Sequence, residues 1–188
     1  MNRRELLKLI TATTGTAMIG GATLLSGCAT PAPKTFVFSQ NDVLLLDEIA
    51  ETILPRTETP GAKDAQVGQF MTVYVAACYT LDEQATFHKG LVTLEERCNS
   101  VYNRNFMSLQ PAERQSFIGA LDQEARVHAV NSKGKGEMHY FTMIKQLTIF
   151  GFFTSEVGGT QVLRHAPIPG YYDGELPYKK GDRAWATT

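Results

Sequence analysis

The 188-residue chain is short of almost every pattern that announces chemistry. No GxGxxG lies between a strand and a helix, so the usual dinucleotide cradle is missing. No CxxCH offers a covalent haem site, and three cysteines are too few to hold an iron–sulfur cluster. His88, His128, His139 and His165 are scattered, and no two stand four apart on one helix, as zinc ligands do. Each reads as a surface or half-buried helix residue. His128 is in phase with Phe117 and Leu121, which leaves a core placement open for it as the alternative. Ser155-Glu156 and Asp173-Gly174-Glu175 supply carboxylates, but nothing positions a nucleophile beside them, and cap and turn roles explain them as well. With 18 basic against 19 acidic residues there is no basic patch, and nucleic acid is not an expected partner. No apolar run reaches the roughly 20 residues of a membrane-spanning helix.

What the chain does have begins at its N-terminus. Arg3, Arg4 and Lys8 precede an uncharged, moderately apolar stretch over residues 10–25, diluted by Thr, Gly and Ala. That is the build of an export signal rather than a membrane span. "NRRELLK" resembles the twin-arginine consensus through Arg3 and Arg4, and "LSGC" resembles a lipobox ending on Cys28. The expectation is export through the twin-arginine route, lipid attachment at Cys28 and a periplasmic, membrane-anchored mature chain. Several acyl chains, at about 0.8 kcal/mol per buried methylene, anchor such a chain stably. The division that follows is a leader over 1–27, a lipidated Pro/Ala-rich spacer over 28–38, a helical domain over 39–164 and an extended segment over 165–188. The leader takes three basic residues and one acidic residue with it, leaving 15 against 18.

The mature chain is helical in pattern throughout, and the expected fold is all-α, a small helical bundle with an extended aromatic-rich C-terminal segment. Ser39 is a fitting N-cap, Leu46, Ile49, Ala50 and Ile53 share one face, and Pro55 stops that helix. Asp64 can cap the next helix, whose expected buried face is Val67, Phe70, Met71, Tyr74 and Cys78. Thr80 with Glu83 has the form of a capping box. The helix behind it carries Phe87, Leu91, Leu94, Cys98 and Val101 on one seam. Cys78 and Cys98 thus fall on expected buried faces of consecutive helices; a disulfide, two buried thiols and a bridge to another subunit all remain open. Pro111 suits the first turn of a helix that buries Phe117, Leu121 and Ala125. The most apolar helix should bury Tyr140, Met143, Ile144, Leu147 and Phe150, with Gly151 and Gly158-Gly159 interrupting it, and its density marks it as the central helix or a partner-facing one. Glu95-Glu96-Arg97 reads as a solvated face. From His165 the periodicity ends. Tyr171, Tyr172, Tyr178, Arg183 and Trp185 lie in a segment laid over a surface, the chain's own or a partner's, and these residue types favour interfaces.

"ETILPRTETPGAKDAQV", "FFTSEVGGTQVLRHAPIPGYYDG" and "YKKGDRAWA" resemble the gluconate 2-dehydrogenase subunit 3 family. The resemblance implies a small helical subunit without catalytic residues or a cofactor of its own. It implies a large flavin-dependent sugar or alcohol dehydrogenase as partner, carrying FAD, often with a multihaem c-type cytochrome as third subunit. The export signal of the small subunit would then serve the flavoprotein too. Two other readings compete: a stand-alone helical lipoprotein that binds a small ligand in a closed apolar pocket, and an enzyme using Glu156, Asp173 or a histidine.

Overall fold

The computed structural model describes residues 36–133, 135–168, 170–171 and 173–186. Arg3, Arg4 and Cys28 lie outside the described residues, as does Tyr172. Among the described residues the fold is all-α, five α-helices with no β-strand: α1 (Gln40–Ile53), α2 (Val67–Cys78), α3 (Leu81–Tyr102), α4 (Pro111–Ser132) and α5 (Tyr140–Thr154). Short 3-10 turns over Ala62–Ala65 and Phe106–Ser108 join them, and a π-turn over Gly158–Val162 follows α5.

Each helix starts where its sequence supplies acceptors for the orphan N–H groups of its first turn. At α1, Asp42 N–H donates to Ser39 Oγ (3.2 Å), and Ser39 N–H donates back to Asp42 Oδ2 (2.7 Å). Thr80 and Glu83 form the same reciprocal pair at α3. Glu113 accepts from Gln110 N–H at α4, with Pro111 in the first turn. Helices α3 and α4 end on left-handed residues, Asn103 and Lys133, whose φ values are 53° and 51°.

Helix α2 is the exception. Asp64 does not cap it: Asp64 accepts from Gly61 N–H (2.8 Å) and pairs with Arg56, closing the 3-10 turn instead. The left-handed Gln66 stands at the start of α2 and offers no side-chain cap. The acceptor comes from another helix, as Gly68 N–H donates to Asp47 Oδ1 of α1 at 2.7 Å. That bond needs close approach. A Cβ on Gly68 would stand 2.6 Å from the Val43 carbonyl oxygen and 2.7 Å from Asp47 N. Neighbouring carboxylates on α1 extend the brace. Glu51 accepts from the N–H groups of Arg56 (2.8 Å) and Lys63 (2.9 Å), and Glu48 pairs with both Lys63 and Arg114 of α4.

Helix α5 touches all four other helices and forms the centre of the bundle. Its buried side is Phe141, Met143, Ile144, Leu147, Thr148, Gly151 and Phe152. Gly151 lies inside the helix rather than interrupting it. Phe150, expected in the core, is 46 % exposed. Leu46, Ile49 and Ala50 of α1 are buried as their spacing predicts, as are Phe87, Leu91, Leu94 and Cys98 of α3 and Phe117, Leu121 and Ala125 of α4. Val101 is exposed, and the neighbouring Tyr102 packs in its place, edge-on to Phe117 of α4 at 6.2 Å.

Phe36 and Phe38 strap the entering chain to α3. Both rings stack on His88, at 4.7 and 4.2 Å between centroids, and Phe38 also meets Phe87 edge-on at 5.9 Å. Alternation along this extended stretch turns Val37 the other way, 85 % exposed. Burial pushes the His88 imidazole below its ordinary pKa, against a smaller upward pull from Asp42.

Gly68→Ala tests the α1–α2 junction. Forcing a methyl against backbone costs about 1–3 kcal/mol, with about 2–4 °C of melting temperature lost per kcal/mol for a chain of this size. Gly119→Ala on α4, where a Cβ meets nothing within 4 Å, should instead gain up to about 1 kcal/mol of helix propensity. Equal melting temperatures for the two variants in thermal unfolding would contradict the junction.

Candidate partner interface

The groups that sequence reading weighed for chemistry do not converge. Among the described residues no three His, Cys, Asp or Glu side chains gather as a metal site. His165 is exposed. His128 is exposed too, with its ring 5.6 Å from that of His139. His139 is structural: its Nδ1 accepts from Phe141 N–H (3.2 Å) at the start of α5, and its Nε2 faces Glu124 at 3.5 Å. Burial lowers its pKa, partly offset by Glu124. Ser155 Oγ accepts from Gly158 N–H (3.0 Å), Asp173 accepts from Glu175 N–H (3.0 Å), and Glu156 is exposed. Glu95, placed by sequence on a solvated face, accepts from Phe106 N–H (3.2 Å) and secures the second 3-10 turn.

Both remaining cysteines are free. Cys98 is buried, and burial, with Glu95 nearby, pushes its thiol up to about 11, so it is protonated and unreactive at neutral pH. Cys78 is not on a buried face as expected; it is exposed at the end of α2.

The distinctive feature is a surface. Helix α2 has no charged residue in its twelve positions, and α5 has one, Lys145. Only Val67, Gly68, Met71, Thr72 and Val75 of α2 are buried. The next face carries Phe70 and Tyr74, both half-buried. They meet Phe150 of α5 at centroid distances of 5.7 and 5.5 Å, and Tyr74 meets Tyr79 edge-on at 5.9 Å. This aromatic patch forms because α5 is bare opposite Phe70: a Cβ on Gly151 would overlap the Phe70 ring. Ile149 and Phe153 extend the apolar area along α5. Beside it is an open cleft of about 300 Å³ walled by Tyr74, Tyr79, Leu147 and Phe150, with Glu83 and Gln146 as its polar members. Burial, with Glu83 close by, raises the Tyr79 phenol, which therefore stays neutral and available to hydrogen-bond. Contiguous apolar area rimmed by polar groups marks an interaction site.

The C-terminal segment supplies a second surface. Arg164 N–H donates to the Ala184 carbonyl (2.7 Å), and Ala186 N–H donates to the Arg164 carbonyl (2.9 Å). The Arg164 guanidinium lies 4.2 Å over the Trp185 ring, and Arg183 donates to the Gln161 carbonyl at 2.9 Å. Residues 165–184 are thus a loop closed at its base. Of the residues singled out from sequence, Arg183 and Trp185 make the clasp on the chain's own fold. Tyr171, at 85 % exposed, and Tyr178 stand out from the loop with Ile168. Sequence density marks α5 as central or partner-facing, but the share of the patch that α2 contributes is not read from spacing. Its signal was there, in twelve residues without a charge.

A model of the gluconate 2-dehydrogenase subunit 3 family matches residues 40–170, from the first residue of α1 into the closed loop. The block "YKKGDRAWA" lies beyond the matched residues. No curated protein and no solved structure matches the chain.

Phe150→Ser tests the patch. The side chain is half in solvent, so the isolated chain should lose no more than about 1.5 kcal/mol of stability, the scale of its aromatic contacts. A central aromatic anchor is worth about 2 kcal/mol or more in binding, so association with a partner should weaken by roughly 30-fold. A variant that unfolds, or one that binds as tightly as the parent, would contradict the assignment.

Proposed function

The chain belongs to the gluconate 2-dehydrogenase subunit 3 family, and we propose that it is the non-catalytic small subunit of a periplasmic flavin-dependent sugar or alcohol dehydrogenase complex. In this reading it provides twin-arginine export through Arg3 and Arg4, folding support, and a membrane tether at Cys28 for a larger catalytic subunit that carries FAD. A c-type cytochrome would complete the electron path.

The observation that carries this reading is the uncovered apolar sector of α2 and α5. A flavoprotein must fold around its cofactor before export. If the small subunit carries the only address, the two chains must associate in the cytoplasm and cross together. That demands an interface of the obligate kind, more apolar than a transient one. Phe70, Tyr74, Phe150 and Phe153 meet that demand, and Tyr171 and Tyr178 on the closed loop offer a second contact. Because the loop's base is pinned by Arg164, Arg183 and Trp185, its displayed tyrosines lose less entropy on docking than a free tail would. The lone-lipoprotein alternative calls for an enclosed apolar pocket. The clefts found among the described residues lie open on the surface.

Purification of the tagged full chain from detergent-solubilised membranes tests the reading. A large stoichiometric partner and a flavin absorbance band are expected in the eluate. With Arg3→Lys and Arg4→Lys together, both chains should stay in the cytoplasm. A colourless single chain, or a partner exported without this chain's arginines, would overturn it.

A further inference from the structure

A second apolar surface lies on the other exposed side of α2. Val73, Ala76 and Ala77 are exposed there, and with Phe36, Val37, Phe38 and Thr72 they wall an open groove of about 500 Å³. None of the seven is charged. At 100° per residue, Val73 and Ala76 lie about 60° and 120° round the helix from Phe70, on the side away from Tyr74, with Ala77 at the border, so this groove and the aromatic patch adjoin on one helix. Val73 is 59 % exposed.

We infer that this groove rests against the lipid bilayer, resting in turn on the reading of Cys28 as the lipid anchor. The argument is one of tether length and charge. Residues 28–35 separate the anchor from Phe36, and eight extended residues reach at most about 29 Å. The chain then enters the domain at the groove itself, because Phe36 is one of its walls and is stacked on His88. The closest approach of the domain to the membrane therefore brings this face against lipid. Charge selects the same face. The mature chain carries more carboxylates than basic groups, and anionic headgroups repel such a surface. The groove, with no carboxylate among its seven lining residues, is the part that can approach. Acyl chains on Cys28 supply the affinity; the groove supplies orientation. It holds α2 along the bilayer, so that the aromatic patch on its flank receives the partner beside the membrane rather than beneath the domain.

The test uses the full, lipidated chain reconstituted with its partner in phospholipid vesicles. Nitroxide labels are placed at Val37→Cys and Val73→Cys in a Cys78→Ser background, with Val127→Cys on α4 as the solvent-facing control. Collision with dissolved oxygen relative to a water-soluble nickel chelate should be several-fold higher at 37 and 73 than at 127. Equal ratios at all three positions would overturn the inference while leaving the anchor intact. Shielding of 37 and 73 from both reagents would overturn it in favour of a protein seated in the groove. A chain that does not sediment with vesicles at all would remove the lipid anchor, and this inference with it.

Discussion

Helix α2 carries no charge, and no small bundle can bury every face of a helix. A helix that is apolar all round belongs in the middle of something larger. Here α1 and α5 cover one side of it, and the remaining surface is left facing outward with Phe70, Val73, Tyr74 and Ala77 on it. The chain is not complete as a hydrophobic object, and its proposed role as a subunit follows from that shortfall. Both surfaces argued to meet other molecules, the aromatic patch and the groove, are flanks of this one helix.

Placing such a helix is a problem, since it brings no capping acidic residue to its own N-terminus. The solution lies on α1. Asp47 supplies the missing acceptor through Gly68, while Glu48 and Glu51 hold the intervening loop and α4. Helix α5 then closes over α2, and its one bare position, Gly151, seats Phe70. These contacts aim the aromatic patch, so the charged face of α1 and the uncharged faces of α2 belong to one arrangement. The strap of Phe36 and Phe38 on His88 fixes where the described chain enters this unit.

Much of this was legible from sequence, and the failures have a common cause. The Ser39 cap, the capping pair Thr80/Glu83, the Pro111 start and the buried seams of α1, α3 and α4 are local or strongly periodic, and spacing alone finds them. Helix α2 defeats periodicity because an uncharged helix has little phase, and spacing puts Cys78 inside when it is outside. Phe150 was misplaced for the same reason on the nearly uncharged α5. Asp64 looked like a helix cap because the 3-10 turn that claims it cannot be told from a helix start by residue type. The clasp between Arg164 and Trp185 joins positions 21 apart in an aperiodic stretch, and no short-range rule reports such a contact. The family resemblance reached the subunit role, and composition reached the tyrosines of the C-terminal segment; the aromatic patch on α2 needed the fold.

One native atom reports on the central claim. The Cys78 sulfur is exposed on α2 one turn beyond Tyr74, on the aromatic side of the helix, while Cys98 is buried and protonated. The measurement is the rate of Cys78 alkylation in intact membranes compared with that in the chain separated from them. The account predicts slow labelling in the membrane complex and fast labelling after separation, with Cys98 silent in both. Equally fast labelling of Cys78 in the two preparations would contradict it, because the uncharged helix would then be left in water where the chain works.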